Sequence, residues 1–428
     1  MSETPVTPET AGSSAGTPEV QERAGWKRDV AVFLSGQTVS LFGSMLVQYA
    51  VMWYLTLTTQ SGVVLALAAV FGFLPQAIVS VFGGVWADRV NRKFLIIIAD
   101  LSIASATLVL ALLMLGGVRD LWIIFAALAV RSCGAGIQTP AVSALIPQIV
   151  PTQHLMRVNG LFGAIQSGMA LLAPAAAGAI YATSDIVSIF FIDVVTAVIG
   201  VLLLATVTVP TIVRAGERPG YFVDLVEGVK YIVHHAFVRW LLTLFAIIFL
   251  LIVAPSYLTG LMIARTFAET EADGIWMLTV LELCFSIGMV IGGAVLAITG
   301  GTKNKVLMLV VSSLAFGFLS IGLGLSPNIW VFFAFMFIVG LGVPFFSTPA
   351  MTLLQEKVEP ERQGRVFGFV GIVMAVSMPI GMAVFGPLAD VVSVELLLVV
   401  AGVLTFIVTA IAILLPSGRK AMRAMRDA

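Results

Sequence analysis

The chain has 428 residues, of which 59% are hydrophobic and 11% charged, with 23 Lys and Arg matched by 23 Asp and Glu. A soluble domain carries about 25% charged residues. The composition therefore excludes an ordinary soluble domain and predicts an all-α membrane protein with many spans.

Residues 1–25 are rich in Ser, Thr, Pro, Glu and Gly and lack the apolar surface to fold. A disordered N-terminus is predicted there. It is not a signal peptide, because no basic start precedes an apolar core. A helix crosses the hydrocarbon core in about 20 residues. Twelve spans follow, at 29–57, 62–86, 94–116, 121–147, 155–182, 186–208, 239–264, 274–299, 305–325, 329–355, 363–389 and 394–415. The connectors are short except 209–238, which holds Arg214, Glu217, Arg218, Asp224, Glu227 and Lys230. The predicted organisation is a six-helix bundle over 26–208, a central loop over 209–238, a second six-helix bundle over 239–416 and a basic tail over 417–428.

Twenty of the 23 Lys and Arg fall on the side that carries both termini and the central loop, against Arg119 and Arg265 on the other; Arg131 is mid-span. This asymmetry predicts that both termini lie in the cytoplasm. The chain is expected to be a multi-pass membrane protein, in contact with lipid and monomeric, with no nucleic-acid partner.

Charged residues inside spans cost about 2.5–3.5 kcal/mol each at the bilayer centre, so each needs a reason. Glu282 lies about 12 Å into span 8, flanked by Leu281, Leu283, Cys284 and Phe285. A carboxyl group among apolar side chains can trade a proton near neutrality, and Glu282 is the first candidate for proton carrier. Arg131, in span 4, cannot discharge and is expected to pair with an acid or tune one. Asp100 in span 3 and Asp193 in span 6 are further candidates, with helix packing or capping as the plainer role. Cys133 and Cys284 sit in apolar runs and the three His are scattered, so neither a disulfide nor a metal site is expected. No P-loop pattern is present, so no cofactor, ATP hydrolysis or enzymatic chemistry is expected.

A small-molecule site in such a chain would be a largely apolar cavity with few polar anchors. Gln48, Tyr49, Met52 and Trp53 in span 1 and Phe71, Phe73 and Gln76 in span 2 are candidates. Gln138 near a bend expected at Pro140, Tyr257, Phe285, Met374 and Met378 complete the set. Aromatic and Met side chains suit adaptable binding surfaces, although most such side chains in membrane helices face lipid or neighbouring helices.

The chain repeats internally. "GAGIQTPAVSALIPQIVPTQHLMRVNGLFG" (Gly134–Gly163) and "GLGVPFFSTPAMTLLQEKVEPERQGRVFGFVG" (Gly340–Gly371) share Gly-x-Gly, Thr-Pro, a Pro eleven residues on, and Arg-Val-x-Gly-x-x-Gly, at an offset of about 208 residues. Two six-helix halves in the same orientation match the arrangement in which a central site is exposed alternately to each side.

"GGVWADRVNRK" resembles the signature loop of the major facilitator superfamily, with Gly84, Asp88, Arg89, Arg92 and Lys93 in place and Asn91 where Gly is usual. "RSCGAG", with Arg131, resembles the span-4 motif of proton-coupled members. "GMALLAPAAAG", with Gly168, Pro174 and Gly178, resembles the span-5 antiporter motif, with Ala173 and Ala177 replacing two glycines; its small residues allow close helix packing. From about residue 30 to 415 the chain resembles the macrolide-efflux branch of drug–proton antiporters, as in "GQTVSLFGSMLVQYAVMWYLT" and "QEKVEPERQGRVFG". The resemblance implies the major facilitator fold and export of macrolides or other lipophilic drugs in exchange for protons. It also implies a cytoplasmic latch in which Asp88 favours the N-terminus of span 11, with Arg365 at that helix start. Siderophore and lipid exporters share much of the pattern, and a non-transporting membrane receptor on this scaffold is the alternative of another class.

Overall fold

The computed structural model describes residues 25–209, 229–302, 304–416 and 418–419. The expected disordered N-terminus, most of the central loop and most of the basic tail lie outside them. Among the described residues, twelve helices are long and apolar enough to cross a membrane. They are α1 (Trp26–Thr59), α2 (Gly62–Arg89), α3 (Arg92–Leu115), α4 (Leu121–Ile149), α5 (Leu155–Thr183), α6 (Ile186–Thr206), α7 (Ala236–Phe267), α8 (Glu271–Thr299), α9 (Lys305–Gly324), α10 (Ile329–Lys357), α11 (Pro360–Val391) and α12 (Val394–Leu414). The part of the central connector at 229–234 is helical.

Short polar residues set the starts. Asn91 Oδ1 accepts from the Lys93 N–H at 3.0 Å to open α3, and Asn328 Oδ1 from Val331 at 3.1 Å to open α10. Thr270 and Asp273 form a reciprocal capping box at α8. Prolines lie inside several helices without ending them: α4 runs unbroken through Pro140 and Pro147. The helix α7 departs from α geometry in two π-helical turns, Ala254–Leu258 and Ile263–Phe267.

Glycines let the helices approach, and they do so in parallel in the two halves. A Cβ on Gly136 of α4 would lie 2.9 Å from the Gln76 carbonyl of α2. In the second half, the corresponding crossing of α8 and α10 puts Gly288 against the Phe337 carbonyl and Gly292 against that of Leu341. Gly36 and Gly200 bring α1 and α6 together, as Gly317 and Gly402 do α9 and α12. The same pairs of helices thus meet through glycines in both halves, although the glycines of the sequence repeat differ in what they touch: Gly136 meets the Gln76 carbonyl, whereas Gly342 meets the Phe316 ring.

Between the halves, α2 meets α11 and α5 meets α8. At the end away from the termini, Gly62 of α2 and Gly386 of α11 touch backbone to backbone, Gly178 of α5 sits on Thr279 of α8, and Gly274 of α8 sits on Leu57 of α1. The Tyr181 hydroxyl donates to Glu271 Oε1 at 3.0 Å across the same seam. That end of the molecule is closed.

Candidate functional site

Among the described residues, three groups built on charged side chains lie deep within the spans. The first is built inside the first half. Arg131 (α4) pairs with Asp193 (α6) at 2.5 Å, and Asp193 is fully buried. Thr107 (α3) completes the group: its hydroxyl lies 2.8 Å from Asp193 Oδ2, and Arg131 also donates to it. Arg131 reaches the Ser44 carbonyl of α1 at 3.3 Å, and the Ser44 hydroxyl lies 3.4 Å from Asp193 Oδ1. Four helices are pinned by one ion pair. The span-4 arginine thus has an acid partner, as its permanent charge requires, and that partner is Asp193.

The second group surrounds Asp100 of α3, which is 2% exposed. Ser40 of α1 donates to its Oδ1 at 3.3 Å, and the Gln138 amide of α4 donates to the same oxygen. Oδ2 has no hydrogen-bond partner. Among the described residues no arginine or lysine pairs with this carboxyl group as Arg131 does with Asp193. Gln138, selected from the sequence as a substrate contact, spends its amide on Asp100.

The third group faces across the two halves. Glu282 of α8 is half-buried, and its carboxyl group lies within electrostatic reach of the phenols of Tyr49 (α1) and Tyr257 (α7). Tyr257 stands in the first π-helical turn of α7, a kind of distortion that recurs at functional sites. Its hydroxyl lies 2.9 Å from Met378 Sδ of α11. Tyr257 thus touches Met378, and Glu282 stands within electrostatic range of Tyr257 and Tyr49 without a hydrogen bond to either among the described contacts, with Phe285 beside it on α8, half-buried. Gln48 is half-buried on α1, whereas Trp53 is 4% exposed and packs in the core, its ring 5.8 Å from that of Tyr49.

The other sequence candidates separate. Of the latch residues, Gly84, Asp88 and Arg89 belong to α2, but their surroundings lie outside what is described. Arg92 donates to the Ala144 carbonyl of α4 at 2.5 Å. Lys93 donates to the Ala205 and Val207 carbonyls at 2.6 and 2.8 Å, a cation on the C-terminus of α6. Both tie the first half to itself. Arg365 is half-buried near the start of α11. In the span-5 motif, Pro174 is buried and Gly178 makes the contact with α8, while nothing lies within 4 Å of a Cβ at Gly168.

One group escaped the sequence reading. Asp390 of α11 accepts from three donors at the start of α2 and from Arg265 of α7. The available signal was an acid at a span end opposite Arg265, one of two cations on that side.

The family model of the Major Facilitator Superfamily matches residues 30–303 and 256–424. The chain is 32% identical to Macrolide efflux protein A of Streptococcus pyogenes over 398 residues, covering 91% of this chain and 96% of that one. It is 31% identical to Macrolide efflux protein A of Enterococcus faecalis over 329 residues, 75% of this chain and 99% of the relative. Among solved structures, a bacterial homologue of the human lysosomal transporter Spinster, in an inward-facing and unoccupied conformation, superposes with a TM-score of 0.70 at 14% identity, covering 94% of this chain and 98% of that one. Twelve spanning helices in two matching halves, meeting around a polar centre, agree with both comparisons, and the chain is a membrane transporter of the Major Facilitator Superfamily.

Proposed function

We propose that this protein exports macrolide-like or other lipophilic drugs across the bacterial cytoplasmic membrane, in exchange for protons, by alternating access. The observation that carries the reading is the group at Glu282, Tyr49, Tyr257 and Met378, where an acid and adaptable apolar side chains from both halves converge. Relatives named for macrolide efflux, similar over nearly their whole length, support the substrate class.

Glu282 is the proton carrier in this reading. A carboxyl group partly removed from water cannot hold its charge cheaply, so its proton and a bound substrate compete for the same space. Asp100 is the second proton-accepting group, because it is buried without a cation. Arg131 and Asp193 hold the first half rigid around it. With both termini in the cytoplasm, as the Lys and Arg distribution supports, the closed end is the outer one. Rocking of one half against the other then opens the site to each side in turn. The protein acts as a monomer in the bilayer.

The test is accumulation of radiolabelled erythromycin in a pump-deficient bacterial host, with and without a protonophore. Low accumulation that rises when the proton gradient collapses supports the reading. Accumulation equal to an empty-vector control, with the protein present in the membrane, rejects erythromycin and moves the search to siderophores and lipids.

A further inference from the structure

The contact around Asp390 has the features of a lock between the halves. The first N–H groups of a helix lack intrahelical partners and carry partial positive charge. At α2, two of them are satisfied from the other half: Asp390 Oδ1 accepts from Gly62 N–H at 2.7 Å and Oδ2 from Val63 N–H at 2.9 Å. The Ser61 hydroxyl donates to Oδ2 at 2.8 Å. Arg265, in the second π-helical turn of α7, clasps the same place. It pairs with Asp390 Oδ1 at 2.7 Å, donates to the Ala389 carbonyl at 2.5 Å, and reaches the Gln60 carbonyl at 2.9 Å. Gln60 is the left-handed residue (φ 48°) that turns the chain from α1 into α2. The hairpin of the first half is therefore gripped by two helices of the second.

The approach needs two glycines, since a Cβ on Gly386 would strike the Gly62 carbonyl. The pair is also reversible by design of its surroundings. The side chains of Arg265 and Asp390 remain 28% and 26% exposed, so water can replace each lost bond. A fully buried pair would resist opening far more.

We propose that Asp390 and Arg265 are positioning residues of the transport cycle: together they hold the end of the molecule away from the termini shut, and their release is the step that opens it. The inference rests on the alternating-access reading but on no particular substrate.

The test uses the full-length protein in lipid nanodiscs with both native cysteines replaced and spin labels at Val118→Cys and Leu325→Cys. These exposed positions lie at the closed end, one in each half. Asp390→Ala and Arg265→Ala are expected to raise the long-distance population at least about fivefold, as loss of charge-assisted bonds to a helix terminus requires. Asp390→Asn keeps the shape and an acceptor oxygen but not the charge, and is expected to shift less. Unchanged distance distributions in Asp390→Asn and Arg265→Ala, with both eluting as folded protein, overturn the lock. Drug accumulation is read separately: a shifted distribution in a protein that does not lower erythromycin accumulation leaves the lock standing and removes only the drug.

Discussion

Arg131 and Asp193 show what a charge inside a membrane requires. Each ion costs several kcal/mol to desolvate, and the pair persists only because its geometry and hydrogen bonds offset that cost. Removing one partner leaves the other uncompensated, at about 3–5 kcal/mol. Arg131→Ala is therefore expected to lower the melting temperature and the yield of folded protein. Arg131→Met combined with Asp193→Leu should recover most of the loss, which thermal unfolding in detergent would measure. A double variant as unstable as the single one would mean that Thr107 and Ser44 need the pair itself. Glu282 has no such partner among the described residues, and the expectation for Glu282→Gln is accordingly different. Binding of a macrolide, followed by equilibrium dialysis, should persist while its dependence on pH flattens. An unchanged pH profile would remove Glu282 as the carrier and leave Asp100.

At the scale of helices, small residues decide what can touch. Gly288→Ala places a Cβ against the Phe337 carbonyl, a backbone atom that cannot rotate away. It should cost about 1–3 kcal/mol, seen as a lower melting temperature. Gly368→Ala has open space and gains helix propensity of up to about 1 kcal/mol, so it should be neutral or stabilising. These outcomes bear on how much the sequence disclosed. The spans were legible because a helix in lipid must be long and apolar, with few charges. The repeat was legible because Gly, Pro and Arg recur at about one offset, as in Gly136 and Gly342 or Gly160 and Gly368, although the open space at Gly160 and Gly368 shows that not every recurrence is demanded by packing. The partners of the charges were not. Burial of Arg131 demands an acid, but Asp100 and Asp193 satisfy that demand equally until α3, α4 and α6 are placed. Asp390 and Arg265 lie 125 residues apart within the second half, and their joint grip on residues 60–63 depends on how the halves dock. The π-helical turns of α7 carry only Pro255 as a local sign, and Pro140 and Pro349 occur in helices that stay regular.

At the scale of the whole molecule, the number of acids that load with protons decides which part of the proton gradient can do work. About 100 mV across the membrane is worth about 2.3 kcal/mol for each charge moved, and a pH unit about 1.4. If Glu282 alone exchanges one proton for a neutral drug, one charge enters per cycle and both contributions act. Together they sustain a gradient of a few hundred-fold. Erythromycin bears a basic amine, and one cation leaving against one proton entering moves no net charge. Export by Glu282 alone would then draw only on the pH difference and sustain about tenfold per pH unit. If Asp100 also loads, two protons enter for each cation and the voltage contributes again. Everted membrane vesicles separate the cases. With Asp100 active, collapse of the voltage by valinomycin and potassium should slow erythromycin uptake in the parent protein. The Asp100→Asn variant should retain uptake that nigericin abolishes and valinomycin leaves alone. Equal sensitivity of parent and variant to valinomycin would exclude Asp100 from the proton count, and its buried, cation-free carboxyl group would then serve only to hold Ser40 and Gln138 in place.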